Sequence, residues 1–278
     1  MLSSNPRLNI GCGYITHPDW TNLDLVPTHS IVHPFDFRRG LPAPSDSIEA
    51  CYSSHVLEHA QPEEATFLVQ ECFRVLRSGG IIRLVVPDLE AIARLYLQHL
   101  EQALIDDSDA ALNYDWMVLE LLDQGVRDRT GGRMAQYLNQ FPQKLPNEAF
   151  VANRWGFELE NYRSVRQRSF KEKLLSKRPA FFLQKFRQKL AEVLVYLIAG
   201  QQARQGFKEG LFRQSGEIHR WMYDRYSLTR LLETTGFTAV QVCAADESRI
   251  PNFVQYNLDT LDGRIRKPDS LFIEAIKP

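Results

Sequence analysis

With 278 residues and a formal net charge of −1, the chain is long enough for one large domain or two small ones and has no global pull toward nucleic acid or an anionic surface. Its four cysteines, Cys12, Cys51, Cys72 and Cys243, are scattered without a C-x-x-C pair, so neither a disulfide framework nor a cysteine zinc cluster is implied, and reduced thiols in a cytoplasmic protein are expected. The N-terminal MLSSNPRLNI has no apolar signal region, and the most apolar run, Val193 to Ala199, is far too short to cross a bilayer.

Arg7 to Asp24 reads as a short strand (Leu8, Ile10), a glycine turn (Gly11, Gly13), a compressed connection and a second strand (Trp20 to Leu23) ending at the carboxylate of Asp24. Glycines let the backbone approach a ligand, and an acid at a strand tip can accept hydrogen bonds from ribose hydroxyls. Ile31-Val32 is a third short strand, with Asp36 near its end, and Leu41 to Ser47 is turn chemistry. Ile48 to Ser54 is a fourth strand, followed by His55 to His59. Pro62 opens a helix whose apolar face is Ala65, Leu68, Val69, Cys72, Phe73 and Leu76, and Gly79-Gly80 is expected to stop it. Ile81 to Val86 is a nearly continuous apolar run, as in a strand covered on both faces.

Strands alternating with helices over the first 88 residues predict an α/β fold with a mostly parallel sheet. Ligands in such sheets bind beyond the carboxyl ends of the strands, and Gly11 to Gly13, Asp24, Asp36, His55 and Asp88 all fall at such ends. From Leu89 to about Gly216 the pattern turns helical, with Leu89 to Leu104 and Asp115 to Leu122 periodic and Gly125 to Pro146 mixed helix and loop. Arg163 to Lys189 carries ten Lys/Arg and a single acid, Glu172, and Phe182, Phe186, Leu190, Val193 and Leu197 make an apolar stripe at helical spacing. The sheet resumes near the end: Ser227 is placed to cap a helix closed by Gly236, and Thr238 to Cys243 and Ser270 to Ala275 are strands.

The blocks LNIGCG, NLD, DFRRGLPAPSDSIEACYSSHVLEH and LRSGGIIRLVVPD, in that order, resemble a class I S-adenosylmethionine-dependent methyltransferase of the type 11 group, over about residues 7 to 100 and 219 to 276. The resemblance implies a Rossmann-like, seven-stranded, mostly parallel sheet with a helical insertion after the fifth strand. It divides the chain into a cofactor-binding domain, 1–100 and 217–278, and a substrate-facing helical lid, 101–216. S-adenosyl-L-methionine would be the cofactor. Asn9, where the family usually has an acid, and Gly11, Cys12 and Gly13 would face its amino-acid end; Asp24 and Leu25 would take the ribose, Asp36 and Phe37 would lie near adenine, and Ser53, Ser54 and His55 would line the floor. The family's third glycine is replaced by Ile15.

Other motifs have plain structural readings beside the functional ones. HVLEH matches H-x-x-E-H, a zinc-protease helix motif. It follows a strand directly and no third ligand is apparent, so no metal is expected, and His59 reads as a structural hydrogen-bonding residue. Asp88 would serve either as a helix cap or in catalysis. GEIHRWMYDRYS, from Gly216, is dense in polar and aromatic residues; His219 leads as general base, with His55 second, and Arg220 and Tyr223, beside Asp224, as acceptor contacts. The basic run is a solvated face, an anion-binding surface, or a peripheral contact of residues 163–198 with an anionic membrane; nucleic acid is not expected as a partner.

The reading is therefore methyl transfer to an oxygen or nitrogen of a small molecule, a saccharide or a natural-product intermediate. Two alternatives share the sheet: an NAD-dependent oxidoreductase, for which no Tyr-x-x-x-Lys pair is found, and a non-catalytic nucleoside-binding scaffold docked through its basic helix. The oligomeric state is left open by the sequence, with a homodimer as the candidate.

Overall fold

A computed structural model describes residues 6–105, 108–141, 143–167 and 179–278. In chain order the strands are β1 (Arg7–Ile10), β2 (Thr21–Asp24), β3 (Val32–Pro34), β4 (Ile48–Ser54), β5 (Leu76–Pro87), β6 (Thr238–Cys243), a two-stranded hairpin of β7 (Thr260–Leu261) and β8 (Arg264–Ile265), and β9 (Ser270–Ile276). Seven of them form one sheet in the order β3-β2-β1-β4-β5-β9-β6. The ladders from β3 through β5 are parallel, and β9 runs antiparallel between β5 and β6. Strand order reverses between β1 and β4, which opens a crevice beyond their carboxyl ends.

One face of the sheet is covered by two helices. Pro62–Val75 begins with Pro at its first turn and with Glu64 accepting the Gln61 N–H at 2.9 Å, and it buries Ala65, Leu68, Val69 and Cys72. Arg225–Thr235 buries Leu228 and Leu232 in the same cluster. The opposite face has no helix between β1 and β2, because only ten residues connect them. Aromatic and aliphatic residues of the segment before β7 fill that space: Ile250, Phe253, Tyr256 and Leu258 pack on Trp20 and Tyr52. This segment reads as a plain loop in the sequence.

Two expectations are corrected by tertiary contacts. The first helix stops at Val75, and Gly79-Gly80 lie inside β5. Gly79 N–H donates to Lys277 O at 2.8 Å and Lys277 N–H to Gly80 O at 2.9 Å, so pairing with the end of β9 draws the glycines into the sheet. Ser227 is not the cap of the last helix. Asp224 is: its carboxylate accepts the Ser227 N–H at 2.8 Å while Ser227 Oγ accepts the Asp224 N–H at 3.0 Å.

After β5 the chain is helical. Leu89–Leu104, Ser108–Val118, Gly132–Gln140, Glu148–Trp155 and Phe157–Gln167 pack around a second core with Trp116, Met117, Met134, Leu138 and Val151. Ile92 belongs to that core, so a boundary at residue 100 falls within one helix whose inner face already serves the insertion. Pro179–Arg213 is helical on both sides of a break at Gly200 (φ 78°, ψ −172°). Its stripe of Phe182, Phe186, Leu190, Val193 and Leu197 is exposed. The middle of the basic run, 168–178 with Glu172, lies outside the described residues.

Candidate cofactor-binding site

The crevice at the strand reversal opens into a cavity of about 740 Å³, within the usual range for small-molecule sites. Asn9, Gly11, Cys12, Gly13, Asp24, Ser54 and His55 line it, so the fold brings together most of the residues proposed from sequence for the cofactor.

The glycine turn is positioned from beneath. Asn9 is buried, and its Nδ2 donates to Ile15 O at 2.9 Å and to Asn22 Oδ1 at 3.0 Å, which locks the return of the loop to β2. An ionised acid here would have no donor of its own to give these acceptors. Gly11 and Cys12 donate their N–H groups to Leu23 O at 2.8 and 3.1 Å. Gly11 has φ +68°, and a Cβ on it would stand 2.2 Å from Val56 Cγ2; Gly13 has φ +53°, and a Cβ there would meet nothing within 4 Å. One glycine is required by packing behind the turn, the other leaves bare main chain beside open space.

Asp24 sits across from this turn. Its Oδ2 accepts the Gly13 N–H and its Oδ1 the Val26 N–H, both at 2.9 Å. Each oxygen keeps lone-pair capacity for a further donor such as a ribose hydroxyl. Cys12 is buried beside Asp24, and burial followed by that negative charge pushes its thiol up to about 12, so it is a neutral apolar wall and not a nucleophile. His55, at φ +55°, carries its ring between two partners: Nδ1 is 3.1 Å from Glu58 Oε1, and Nε2 is 2.8 Å from Ser270 Oγ.

Other proposed residues lie elsewhere. Ser53 is buried and bonds Ile10 O at 3.2 Å behind the cavity. Leu25 is exposed and outside the lining. Asp36 caps its own short turn and pairs with Arg38 at 2.8 Å, whose hydrogen bond holds the carboxyl below its ordinary value, while Phe37 packs on the main core; neither lines the cavity. Asp88 accepts the Ala91 N–H at 3.1 Å as the cap of Leu89–Leu104. Tyr223 is buried, and burial and then Glu58 push its phenol up to about 12. Arg220 donates to Arg213 O at 2.9 Å and lines a separate small cavity with His219. His219 itself is 8 % exposed, and burial drives its imidazole down to about 3, against the pull of Glu58. It does not line the cavity of the glycine turn, whereas His55 does.

Sequence reading missed the far wall. Tyr14, Ile15 and Tyr52 line the cavity, as do Phe157, Glu158, Asn161, Ser164 and Val165 from one helix, and Arg266 and Lys267 from the loop after β8. Tyr14 and Tyr52 adjoin motif residues and were within reach of a sequence argument. The helix and the loop carry no local signal, because only the folded insertion sets them opposite Gly13.

The family model described as a methyltransferase domain matches residues 22–84. No curated protein matches the chain. Among solved structures, the complex between the Haloferax volcanii Trm112 methyltransferase activator and a methyltransferase matches at 16% identity and TM-score 0.26, over 36% of this chain and 53% of that one. The chain thus spans about half the length of that structure. A SAM-dependent methyltransferase of Thermotoga maritima, described as a possible histamine N-methyltransferase, matches at 9% identity and TM-score 0.35, over 98% of this chain and 81% of that one. The sheet order is that of a Rossmann-like α/β fold, and the matched methyltransferase domain covers β2 through most of β5; the cofactor of such domains is S-adenosylmethionine. The residues present fit that cofactor, since the bare main chain at Gly13 and the spare acceptor capacity of Asp24 face one cavity of suitable size.

Proposed function

We propose that this chain moves a methyl group from S-adenosylmethionine, held by Gly11 to Gly13 and Asp24, to an oxygen or nitrogen of a small acceptor, of the saccharide or natural-product kind. The observation that carries the reading is the single cavity in which the glycine turn, Asp24 and His55 meet. When bound, the cofactor supplies an electrophilic methyl on sulfur, so the protein's work is to place reactants in line and exclude water. Phe157, Asn161 and Val165 wall the cavity on the insertion side and would shape the acceptor space. Ser270 anchors the His55 ring at the cavity and Glu58 lies beside it as a counter-charge, so that the ring takes the proton from an acceptor hydroxyl.

Calorimetry with S-adenosylmethionine tests the binding half. Each charge-assisted hydrogen bond from a ribose hydroxyl to Asp24 is worth about 1.5–3 kcal/mol, so Asp24→Ala weakens binding by about 10- to 100-fold. Unchanged affinity in that variant, or no binding by the parent chain, would overturn the site. His55→Ala retains cofactor affinity and loses turnover with an accepted substrate; equal turnover would remove His55 from the chemistry.

Among the described residues no helix is long and apolar enough to cross a membrane. Peripheral contact through residues 163–198 belongs to the same proposal. Phe186, Leu190 and Leu197 are exposed on the helix that carries Lys189, which supports it. Flotation of the chain with anionic vesicles, absent with neutral ones, is the expected outcome.

A further inference from the structure

The H-x-x-E-H run at His55 to His59 is not absorbed by the cavity. Leu57–His59 forms a single 3-10 turn, so His55 and His59 do not share a helix face, and His55 is turned toward Ser270. The fold brings a different histidine to the motif. We propose that Glu58, His59 and His219 form a binding site for one divalent transition-metal cation, with zinc as its simplest occupant. This inference does not depend on the methyltransferase reading.

The ligand atoms of these three residues all lie within 4.8 Å of one another. Glu58 is fully buried, and neither of its carboxylate oxygens has a hydrogen-bond partner. The His55 Nδ1 at 3.1 Å gives it an ion-pair neighbour without hydrogen-bond alignment. A buried carboxylate without hydrogen bonds is costly; the histidines around Glu58 offset its charge, and a cation bound among them offsets it directly. The tautomer of His59 is set by its surroundings. Its Nδ1 lies 3.1 Å from Ile218 O, and a carbonyl can only accept, so Nδ1 carries the proton and Nε2 presents a free lone pair. A histidine anchored through one nitrogen to a backbone carbonyl is the usual support of a metal ligand.

His219 reaches the site because its backbone is strapped to the same turn. Arg220 and Trp221 donate their N–H groups to Glu58 O at 2.6 and 3.2 Å, and His219 N–H donates to Gln124 O at 3.0 Å. The rings of His59 and His219 meet edge to face at 4.9 Å between centroids. Zinc–ligand bonds of about 2.0–2.1 Å in a tetrahedron separate ligand atoms by roughly 3.3 Å, so side-chain rotations of about an ångström close the cluster. Two imidazoles and one carboxylate suit zinc or iron(II) better than magnesium or calcium, which take oxygen. His219 also borders small cavities of about 230 and 370 Å³, next to Gly125 and Arg220, which leaves room for a water in the fourth position.

The test is direct titration of the chelator-stripped full chain with Zn2+ against a chromogenic indicator, without S-adenosylmethionine. One equivalent is expected per chain, with a higher melting temperature when loaded. Glu58→Gln and His219→Ala each lower the affinity at least about 100-fold, as loss of a direct ligand should exceed the effect of losing an outer support. Both also abolish the melting shift, and His33→Ala, on β3, changes neither. Cobalt loading adds a readout of geometry: the visible spectrum of the parent chain is absent from His219→Ala. Should one of the two variants not fold, the other and the parent titration decide. Failure of the parent to take up one equivalent, or uptake unchanged in a folded Glu58→Gln or His219→Ala chain, overturns the site. Zinc uptake with no cofactor binding would overturn the proposed function and leave this site standing.

Discussion

Replacing Arg83 by leucine destabilises the folded chain by about 3–5 kcal/mol, the cost of leaving buried carboxylates without their counter-charge. Arg83 is wholly buried at the centre of β5, in the midst of the apolar run Ile81 to Val86. Its Nε donates to Asp259 Oδ2 at 2.7 Å, and its Nη1 to Glu274 Oε1 at 2.9 Å and Glu247 O at 2.8 Å. Nη2 donates to Ala244 O and Ala245 O, both at 3.2 Å, and the guanidinium lies over Phe253 at 4.5 Å. Burial is the largest influence and works against its charge, but Asp259, Cys243 and Glu274 together outweigh it, so the guanidinium is held firmly protonated. Both acids are themselves nearly inaccessible, and Tyr52 Oη donates to Asp259 Oδ1 at 2.5 Å. Urea unfolding followed by circular dichroism measures the loss. Adding Asp259→Asn and Glu274→Gln to the leucine variant should recover part of it. No recovery would mean that the loss comes from packing and not from uncompensated charge.

Gly11→Ala is the second large expected effect, and it falls on stability and on cofactor affinity together. The backbone at φ +68° costs a non-glycine residue about 1–2 kcal/mol. The added methyl also stands 2.2 Å from Val56 Cγ2, and forcing an extra carbon into a packed site costs about 1–3 kcal/mol more. Valine cannot rotate away freely, because its branched Cβ restricts χ1. Val56 adjoins His55, so relief by backbone movement displaces the cavity lining as well as the turn. In Gly11→Ala/Val56→Ala the clash is gone while the dihedral cost stays, so stability returns in part. Gly13→Ala carries only the dihedral cost, because its methyl enters open space, and its effect appears chiefly in calorimetry with S-adenosylmethionine. Equal losses of stability in Gly11→Ala and Gly13→Ala would contradict this division of roles.

The order of short strands, the glycine turn and the acid at the end of β2 are local facts of the chain. Strand periodicity, turn residues and a few spaced polar groups are enough to write them, although the reach of β5 through Gly79-Gly80 was not visible in them. His55 lies at the cavity for the same reason: the end of β4 is visible in Ile48 to Ser54.

Partnerships made across long separations were not legible. Arg83 looks like an interruption of an apolar strand until Asp259 and Glu274 arrive from 176 and 191 residues away. His219 looks like an isolated base until the strap at 218–221 bonds to the turn at Glu58, where it becomes a buried neighbour of His59. Asp36 sits at a strand end as the other site acids do, yet Arg38, two residues on, claims it first. Sequence by itself determined the order of the main strands and helices and the rim of the sheet at which the crevice opens, because those follow from hydrophobic period and backbone sterics within a few residues. Tertiary structure alone decided which charges are compensated, which histidine faces the cavity and what walls it, because burial and charge pairing are properties of space and not of order along the chain.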